Sequence, residues 1–343
     1  MLLERNLVIG NKFNDKHFFN MQSKEIMTNI EKYRQLCEHE TSIPIFSKAW
    51  WLDSVAGNDW DVVLVEKGDQ ILASLPFVVR KRFGLTVLTM TPLTQTLGPW
   101  LRPSTAKYAK QLSQEKDLIQ ALFDQLPQHA QYNQNWHHTR TNWLPLFWKG
   151  YQQTTRYTYC LPNLNDIDAL WSDFQVNIRT DIRKAQNKEG VAVRSDLSIE
   201  DFLELNKKVF SRQGMALPYN EDLVRKIHKE ASARNAGKFF IGVDGEGRHH
   251  AGVFIIWDEN AAYYLMSGGD PDLRNSGATS LCMWEAIQFA ATVTKSFDFE
   301  GSMIEPVERF FRAFGAIQTP YFAISKTNSK LLKIYQGLKG LLK

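Results

Sequence analysis

Two widely separated stretches of the sequence repeat the same order of predicted elements. Residues 61–79 contain two runs rich in β-branched and apolar residues on either side of Gly68, and residues 239–257 contain two such runs around Gly245. Each stretch predicts a β-hairpin, and each is followed by a third β-rich segment, a glycine-containing loop and an amphipathic helix. An internal duplication explains this repeat, and chance is the alternative, because hairpin-then-helix order is common in α+β proteins.

The length of the chain favours two lobes. Its 343 residues, 43% of them hydrophobic, can bury a large core and exceed the length of one typical domain. We therefore predict a fold of the α/β (α+β) class with two duplicated lobes, each a mixed sheet flanked by helices. We assign the N-terminal lobe to residues 31–150, the C-terminal lobe to residues 151–343, and residues 1–30 to a disordered leader.

Composition and residue spacing argue against several classes of function. The 41 basic residues exceed the 37 acidic residues by only four, so no strong basic field for nucleic acid is present. The three cysteines are isolated, and the adjacent pairs His137-His138 and His249-His250 point apart if they lie on strands, so no metal site is predicted. No apolar run is long enough for a signal peptide or a membrane span, and a cytoplasmic protein is expected.

The second copy of the repeat continues with further elements. Residues 296–300 predict a short strand, and the helix predicted from Pro306 carries one apolar face that consists of Val307, Phe310, Phe311 and Phe314. Residues 321–325 predict another strand, and residues 329–343 predict a basic amphipathic helix. Before the second copy, the spacing of apolar residues predicts one long helix over residues 167–185.

Three motifs in this part of the chain are Ile178-Arg179-Thr180-Asp181-Ile182-Arg183-Lys184-Ala185, Asp298-Phe299-Glu300-Gly301-Ser302 and Phe310-Phe311-Arg312-Ala313-Phe314-Gly315. Together they resemble the FemAB-like, or BioF2-like, acetyltransferases of the GNAT superfamily. The resemblance extends over residues 45–325 and is strongest over residues 175–315. It implies tandem GNAT-like lobes in which two central strands separate and an acyl carrier lies between them.

The resemblance also implies an enzyme that transfers an activated acyl group to an amine. We predict an N-acyltransferase that uses acyl-CoA, such as acetyl-CoA, and no metal. Its expected acceptor is an amino group on a nucleotide-linked or lipid-linked precursor of a cell-envelope glycan or polysaccharide. One alternative is Fem-type transfer from aminoacyl-tRNA in peptidoglycan bridge formation, although the segment between Val209 and Phe239 is too short for the helical arm with which Fem-type members grip tRNA. The other alternative is a non-catalytic ligand-binding protein.

The resemblance assigns the loop at residues 274–279 to the donor. Acetyltransferases bind the pyrophosphate of the carrier at such a loop through the motif Q/R-x-x-G-x-G/A, and Thr279 departs from its final small residue. A loop that enters a helix offers free backbone N–H groups and the positive end of the helix dipole to an anion. The predicted donor-binding residues are Arg274, Gly277, Ala278 and Ser267; a plain surface loop is the alternative.

Two carboxylates follow each other at the predicted strand end. Asp298 and Glu300 alternate with Phe297 and Phe299, so both acidic side chains are expected on one face, toward the cleft. Transfer to an ammonium group requires the removal of a proton, and Glu300 is the first candidate for this role, followed by Asp298. Alternatively, these carboxylates cap the next helix or pair with its arginines.

The remaining assignments concern a general acid and the acceptor. Tyr263 and Tyr264 are expected to point to opposite faces of the central strand, and Tyr264 is assigned to the cleft. By the resemblance, Arg312 replaces a lysine that contacts the acceptor's phosphates, and Arg179 and Arg183 match a basic helix of the family. These three arginines are the predicted acceptor-binding residues, and a solvated basic helix face is the alternative.

The C-terminal tail has two interpretations. Its leucines and Tyr335 lie opposite Lys330, Lys333, Lys339 and Lys343 in a helical projection. Such a helix fits a peripheral contact with an anionic surface such as the inner membrane. A short helix with one apolar stripe also fits against its own lobe.

Overall fold

The structure is a computed structural model that describes residues 27–212, 214–301 and 303–341. Most of the predicted leader, residues 1–26, lies outside the described residues, and its last two residues, Asn29 and Ile30, begin the first helix. That helix starts with a capping box, in which the Thr28 hydroxyl accepts a hydrogen bond from the Glu31 N–H and the Glu31 carboxylate accepts one from the Thr28 N–H. The first helix of the described residues therefore begins at a well-defined N-cap.

The helices and strands follow one another in two similar series along the chain. The strands are β1 (Trp60–Lys67), β2 (Gln70–Arg82), β3 (Leu85–Thr89), β4 (Trp100–Leu101), β5 (Gln131–Asn135), β6 (Gln152–Leu161), β7 (Ala192–Arg194), β8 (Gly237–Val243), β9 (His249–Trp257), β10 (Ala261–Gly269), β11 (Ser296–Asp298) and β12 (Ile317–Thr327). The helices are α1 (Asn29–His39), α2 (Ala49–Ala56), α3 (Tyr108–Asp124), α4 (Leu144–Trp148), α5 (Ile167–Asp173), α6 (Val176–Asn187), α7 (Ile199–Arg212), α8 (Glu221–Ala233), α9 (Ala278–Val293), α10 (Glu305–Arg312) and α11 (Lys330–Leu341).

The strands form one mixed sheet whose order is symmetric about its centre. The order is β1-β2-β3-β5-β12-β6-β11-β10-β9-β8-β7, and β4 pairs with β2 at the side. In each half an antiparallel hairpin leads to a third strand, which pairs in parallel with the strand after the following helix, namely β3 with β5 and β10 with β11. The predicted α/β fold with duplicated lobes is confirmed by this arrangement.

The two halves exchange their last strands. β12, from the end of the chain, pairs with β5 of the N-terminal half, whereas β6, which follows the N-terminal half, pairs with β11. β6 and β12 then pair with each other over nine residues, from Ile317 opposite Cys160 to Ser325 opposite Gln152. The lobe boundary predicted near residue 150 therefore falls within a sheet that continues without a break.

The cores of the two halves also share residues. On one face of the C-terminal half, α6 and α9 cover Ala251, Val253 and Ile255 of β9. On the other face, α7 and α8 pack together with Phe46 and Trp51, which come from the N-terminal part of the chain. Burial of each such large apolar side chain contributes about 1.5–3 kcal/mol, so the two halves stabilise each other.

The long helix predicted over residues 167–185 is wrong, because the chain forms two helices there. Phe174 adopts an extended backbone conformation and is buried between Trp284 and Phe314, at ring distances of 5.0 and 5.1 Å. The N–H of Gln175 donates to the carbonyl of Ala313 at 2.8 Å. Packing and a long-range hydrogen bond therefore outweigh the local helical periodicity.

Gly277 fixes the approach of α6 to the start of α9. Its φ is +82°, and a Cβ atom at this position would lie 2.2 Å from the carbonyl oxygen of Asp181. We expect Gly277→Ala to lower the free energy of unfolding by roughly 2–4 kcal/mol, because it adds backbone strain and a steric clash. Urea unfolding of the purified protein measures this loss.

The control is Gly245→Ala, since a Cβ atom there meets no atom within 4 Å. We expect its free energy of unfolding to change by less than about 0.5 kcal/mol. Equal stability of the two variants would contradict the close contact between Gly277 and α6.

Candidate active site at the junction of the two halves

Two central strands separate beside the predicted catalytic residues. β10 and β11 pair in parallel only from Ala261 to Tyr263, and the last pair joins Tyr263 to Asp298. β10 continues to Gly269, whereas β11 ends at Asp298. A register shift in β10 between Tyr264 and Met266 makes Leu265 the extra residue of a β-bulge at the same level. The predicted separation of two central strands is therefore present at this point.

Asp298 is held at the end of β11 by side chains of β6. It lies opposite Cys160 in the antiparallel pair, and only 7% of the residue is exposed. One carboxylate oxygen, Oδ1, accepts hydrogen bonds from the Thr158 hydroxyl and from the N–H of Glu300. Burial raises the pKa of Asp298, while the hydrogen bond from Thr158 and the charge of His138 lower it in part.

Glu300 follows in an unusual backbone conformation. Its φ is +59°, and its carbonyl accepts a hydrogen bond from the side chain of Gln95, which belongs to the N-terminal half. Its Oε1 atom is buried and has no hydrogen-bond partner among the described residues. Burial, and then the nearby charge of Asp298, raise the pKa of Glu300 well above its usual value. The buried carboxyl group can therefore accept a hydrogen bond from a further donor at Oε1.

The phenylalanines next to these carboxylates lie on the opposite face, as predicted from their alternation. Phe297 and Phe299 are 0% and 1% exposed and belong to the core under α6 and α9. Tyr263 and Tyr264 also face opposite sides: Tyr263 packs on Phe46 at 5.1 Å, and Tyr264 packs on Phe311 at 5.6 Å. Burial raises the pKa of the Tyr264 phenol to about 12. Tyr264 is therefore a protonated hydroxyl beside the separated strands.

His138 is a site residue that the sequence analysis missed. Its Nδ1 atom lies 3.9 Å from Oδ2 of Asp298, although it comes from the N-terminal half. Burial lowers its pKa, and the charge of Asp298 raises it in part. The expectation that His137 and His138 point apart is wrong, because they lie after β5 in a turn with ring centroids 4.2 Å apart. Their sequence position carries no signal of the contact with Asp298, since only the fold brings it about.

The predicted donor loop borders a cavity of about 160 Å³. Ser267 and Arg274 line it together with Thr279 in the first turn of α9, while Gly277 and Ala278 form the start of that helix. Arg274 is exposed, and the amine of Lys184 from α6 donates to the carbonyl of Asn275 next to it. The structure thus places all four predicted donor residues at or beside this cavity.

A buried histidine lines the same cavity and was not predicted. The Nε2 atom of His250 lies 2.9 Å from Oδ2 of Asp244, and its Nδ1 atom is buried without a hydrogen-bond partner among the described residues. Here the expectation that adjacent histidines point apart is correct, since the His249 side chain is 26% exposed and that of His250 only 2%. Hydrogen bonds from His250 and Arg248 hold the pKa of Asp244 well below its usual value.

The three predicted acceptor-binding arginines have structural partners. Arg312 donates to Glu308 at 2.8 Å. Arg179 donates to the carbonyl of Ser172 at 2.7 Å, near the end of α5, and Arg183 stacks over the ring of Trp171 at 5.6 Å. Arg312 and Arg183 remain exposed, so these two keep charge that faces solvent. Their role in binding an acceptor stays a prediction.

Comparisons with known proteins found a matching family model and several solved structures with a similar fold. A family model described as an acetyltransferase (GNAT) domain matches residues 172–305, which include both the donor loop and the two carboxylates. No curated protein has a matching sequence. Among solved structures, FemX is similar with a TM-score of 0.62 and 11% identity, over 91% of this chain and 98% of FemX.

Two further structures share the fold over most of the chain. The C-terminal domain of a putative lysylphosphatidylglycerol synthetase from Agrobacterium fabrum has a TM-score of 0.54 and 10% identity, over 88% of this chain and 92% of that domain. A tandem GNAT protein from the clavulanic acid biosynthesis pathway has a TM-score of 0.50 and 8% identity, over 88% of this chain and 94% of that protein. At these identities the similarity concerns the fold.

The buried Asp244 gives a prediction about pH. Its pKa in the folded state is lowered, so its stabilising contribution is present above the unfolded value of about 3.8 and is lost as pH falls through the folded value. We expect Asp244→Asn to lower the free energy of unfolding at neutral pH, and the difference from wild type to shrink below about pH 4. Urea unfolding over this pH range measures the difference.

The control is Asp69→Asn in the turn between β1 and β2, where the residue is exposed. We expect its stability difference from wild type to be small at every pH. A difference for Asp244→Asn that stays constant down to low pH would contradict the hydrogen-bonding role of Asp244.

Proposed function

This chain carries an acetyltransferase domain of the GNAT superfamily within a FemAB-like fold, and on that premise we propose an N-acyltransferase that uses acyl-CoA. The proposed donor is acetyl-CoA or a related thioester, and the proposed acceptor is an amino group on a cell-envelope glycan or polysaccharide precursor. The observation that carries the proposal is the buried carboxyl group of Glu300, whose Oε1 atom has no partner among the described residues. It lies where β10 and β11 separate, close to Asp298.

The cavity beside α9 supports an anionic donor. Arg274 and Arg212 both line it, and the start of α9 faces it with Ser276 and Thr279. Cationic side chains and the N-terminus of a 16-residue helix attract phosphate groups. In this proposal, a carrier whose pyrophosphate lies here directs its acyl end along β10, toward the bulge that the strand register places at Leu265. The free N–H group of a bulged residue is a suitable donor for the oxyanion of acyl transfer.

The carboxyl group of Glu300 supplies the proton chemistry in this proposal. Because its pKa is raised, the Glu300 carboxylate is a stronger base than an exposed glutamate, which favours removal of a proton from an ammonium group. The neutral amine then attacks the thioester carbonyl, a C–N bond forms, and the C–S bond breaks. The sulfur of the released carrier accepts a proton, for which the phenol of Tyr264 is the proposed source, and the proton that the nitrogen loses as the amide forms restores this phenol. Asp298 holds the N–H of Glu300 and therefore orients this residue.

The acceptor side of the proposal depends on exposed charge. Arg312 is 52% exposed at the end of α10, the helix that follows Glu300. A nucleotide-linked or lipid-linked sugar carries phosphate groups that such a cation can bind. The putative lysylphosphatidylglycerol synthetase among the similar folds is named for a lipid product, which supports a lipid-linked acceptor for this chain.

Aminoacyl-tRNA is the second candidate donor, and the similarity to FemX over most of both chains favours it. Between α7 and α8 the described chain has only a short connection, which leaves no helical arm for tRNA at this position. Calorimetric titration with coenzyme A and, separately, with charged tRNA distinguishes the two donors. Binding of charged tRNA without binding of coenzyme A would replace the first donor by the second.

Variants of the site test the proposed catalysis. We expect Glu300→Gln to lower kcat by ~10²–10⁴-fold with little change in KM for the thioester, because the amide cannot accept a proton. We expect Arg274→Ala to raise KM for the thioester by ~10-fold, because it loses a charge-assisted hydrogen bond. Both values come from release of free thiol in the presence of an amine acceptor.

The matched control is Arg309→Ala on α10, which removes an arginine whose side chain is 71% exposed. We expect its rate to equal that of the wild type. Wild-type activity in Glu300→Gln and Arg274→Ala would favour the non-catalytic alternative, in which the lobe binds a ligand without chemistry.

We also propose a peripheral contact of α11 with an anionic membrane surface. Leu331, Ile334 and Leu338 are 54–63% exposed on this helix. Phe83, at the tip between β2 and β3, is 61% exposed and packs on Tyr335 at 5.3 Å. Residues 309–343 contain no acidic residue, so every charged side chain of α11 itself is a cation. None of the described helices combines the length and apolar character that crossing a bilayer requires.

Sedimentation with lipid vesicles tests this contact. We expect the protein to bind vesicles that contain phosphatidylglycerol but not vesicles of phosphatidylcholine alone, because the surface is basic and apolar. We expect Ile334→Asp to weaken the binding by ~10-fold, and the control Tyr108→Asp, at a residue that is 78% exposed on α3, to leave it unchanged. Equal binding of both variants, or no binding of the wild type, would contradict the contact.

A further inference from the structure

Three side chains that can bind a metal ion meet beside the candidate active site. A ring nitrogen of His138, Sγ of Cys160 and a carboxylate oxygen of Asp298 all lie within 4.8 Å of one another. They come from the turn after β5, from β6 and from the end of β11, so each half of the fold contributes. All three side chains are buried or half-buried.

The sheet holds two of these ligands in fixed positions. Cys160 and Asp298 are directly opposite in the antiparallel pair of β6 and β11. Two hydrogen bonds from Thr158 and Glu300 occupy Oδ1 of Asp298, which leaves Oδ2 turned toward His138 at 3.9 Å. Such hydrogen bonds to a carboxylate orient it, as they do around known metal centres.

The charged groups around this cluster favour a bound cation. Asp298 and Glu300 are two neighbouring buried carboxyl groups, and Oε1 of Glu300 has no partner in the part of the chain that the structure describes. Among those same residues, the only basic side chain within 4 Å of either carboxylate is His138. Two buried acids with one weak base are stabilised either by protons or by a bound cation.

We propose that His138, Cys160 and Asp298 bind a thiophilic divalent ion of the Zn²⁺ class. A set of one nitrogen, one sulfur and one oxygen ligand suits a borderline-soft ion rather than Mg²⁺ or Ca²⁺. With bonds of ~2.0–2.3 Å to the metal, the three ligand atoms need to move closer by only ~1 Å. Binding replaces the thiol proton of Cys160 by the metal and releases that proton to solvent.

This ion would occupy the space beside Glu300 that the proposed function gives to the ammonium group of the acceptor. Metal and acceptor would therefore exclude each other, and excess Zn²⁺ would inhibit the transferase. Metal binding itself requires neither the acceptor nor the acyl donor, so it can be measured in their absence and separately from catalysis.

Titration of the full-length protein with Zn²⁺ in competition with a chromophoric chelator, after treatment with EDTA, tests the site. We expect one tightly bound equivalent per chain, and an affinity that is lower by at least ~10–100-fold in His138→Ala and in Cys160→Ala. The matched control, Cys37→Ser, removes a half-buried thiol on α1 and should bind like the wild type.

A spectroscopic measurement on the wild type tests the thiolate ligand directly. Co²⁺ bound at the same site should show thiolate-to-metal charge-transfer absorption, which added Zn²⁺ abolishes and which is preserved in Cys37→Ser. Zn²⁺ affinity that is equal in all variants, or bound Co²⁺ without a thiolate band, would overturn the proposal. Absence of acyl transfer by the metal-free protein, together with a normal metal band when Co²⁺ is added, would instead overturn the proposed function and leave the metal site in place.

Discussion

The antiparallel pairing of β6 with β12 is the interaction on which the rest of this structure depends. These two strands lie at the centre of the sheet. β6 follows the N-terminal half in sequence but pairs with β11 of the C-terminal half, and β12 follows the C-terminal half but pairs with β5 of the N-terminal half. The pairing makes one sheet of two duplicated units and brings the ends of β5 and β11 within reach of each other. Two of the hydrophobic clusters on its faces contain residues from both parts of the chain.

The candidate site is a product of that junction. Gln95 and His138 arrive from one half, and Asp298 and Glu300 from the other, so neither half holds the complete set of polar groups. Burial at the junction opposes the ionisation of both carboxyl groups. The unpaired Oε1 atom of Glu300 is a position at which a hydrogen-bond donor or a cation can bind. A buried acid that retains an unfilled hydrogen-bonding position is costly for stability, and such groups are common where a protein binds or transforms a ligand.

Local patterns in the sequence predicted the hairpins, the loop before α9 and the alternation of Asp298 and Glu300 with two buried phenylalanines, because each depends on neighbours within a few residues. Long-range contacts were beyond such patterns. The break at Phe174 follows from packing against Trp284 and Phe314, and the contact of His138 with Asp298 depends on the order of strands in the sheet. Nor does the spacing of residues 138, 160 and 298 suggest that they meet.

The exchange of strands also has a consequence for how the chain folds during synthesis. β5 is complete at Asn135, yet its partner β12 begins only at Ile317. While the rest of the polypeptide is being made, the edge of β5 stays uncovered and presents free backbone groups to other chains. Nascent molecules on neighbouring ribosomes are thus exposed to mispairing until β12 has been synthesised, and chaperones that shield such edges would matter more for this architecture than for two independent domains.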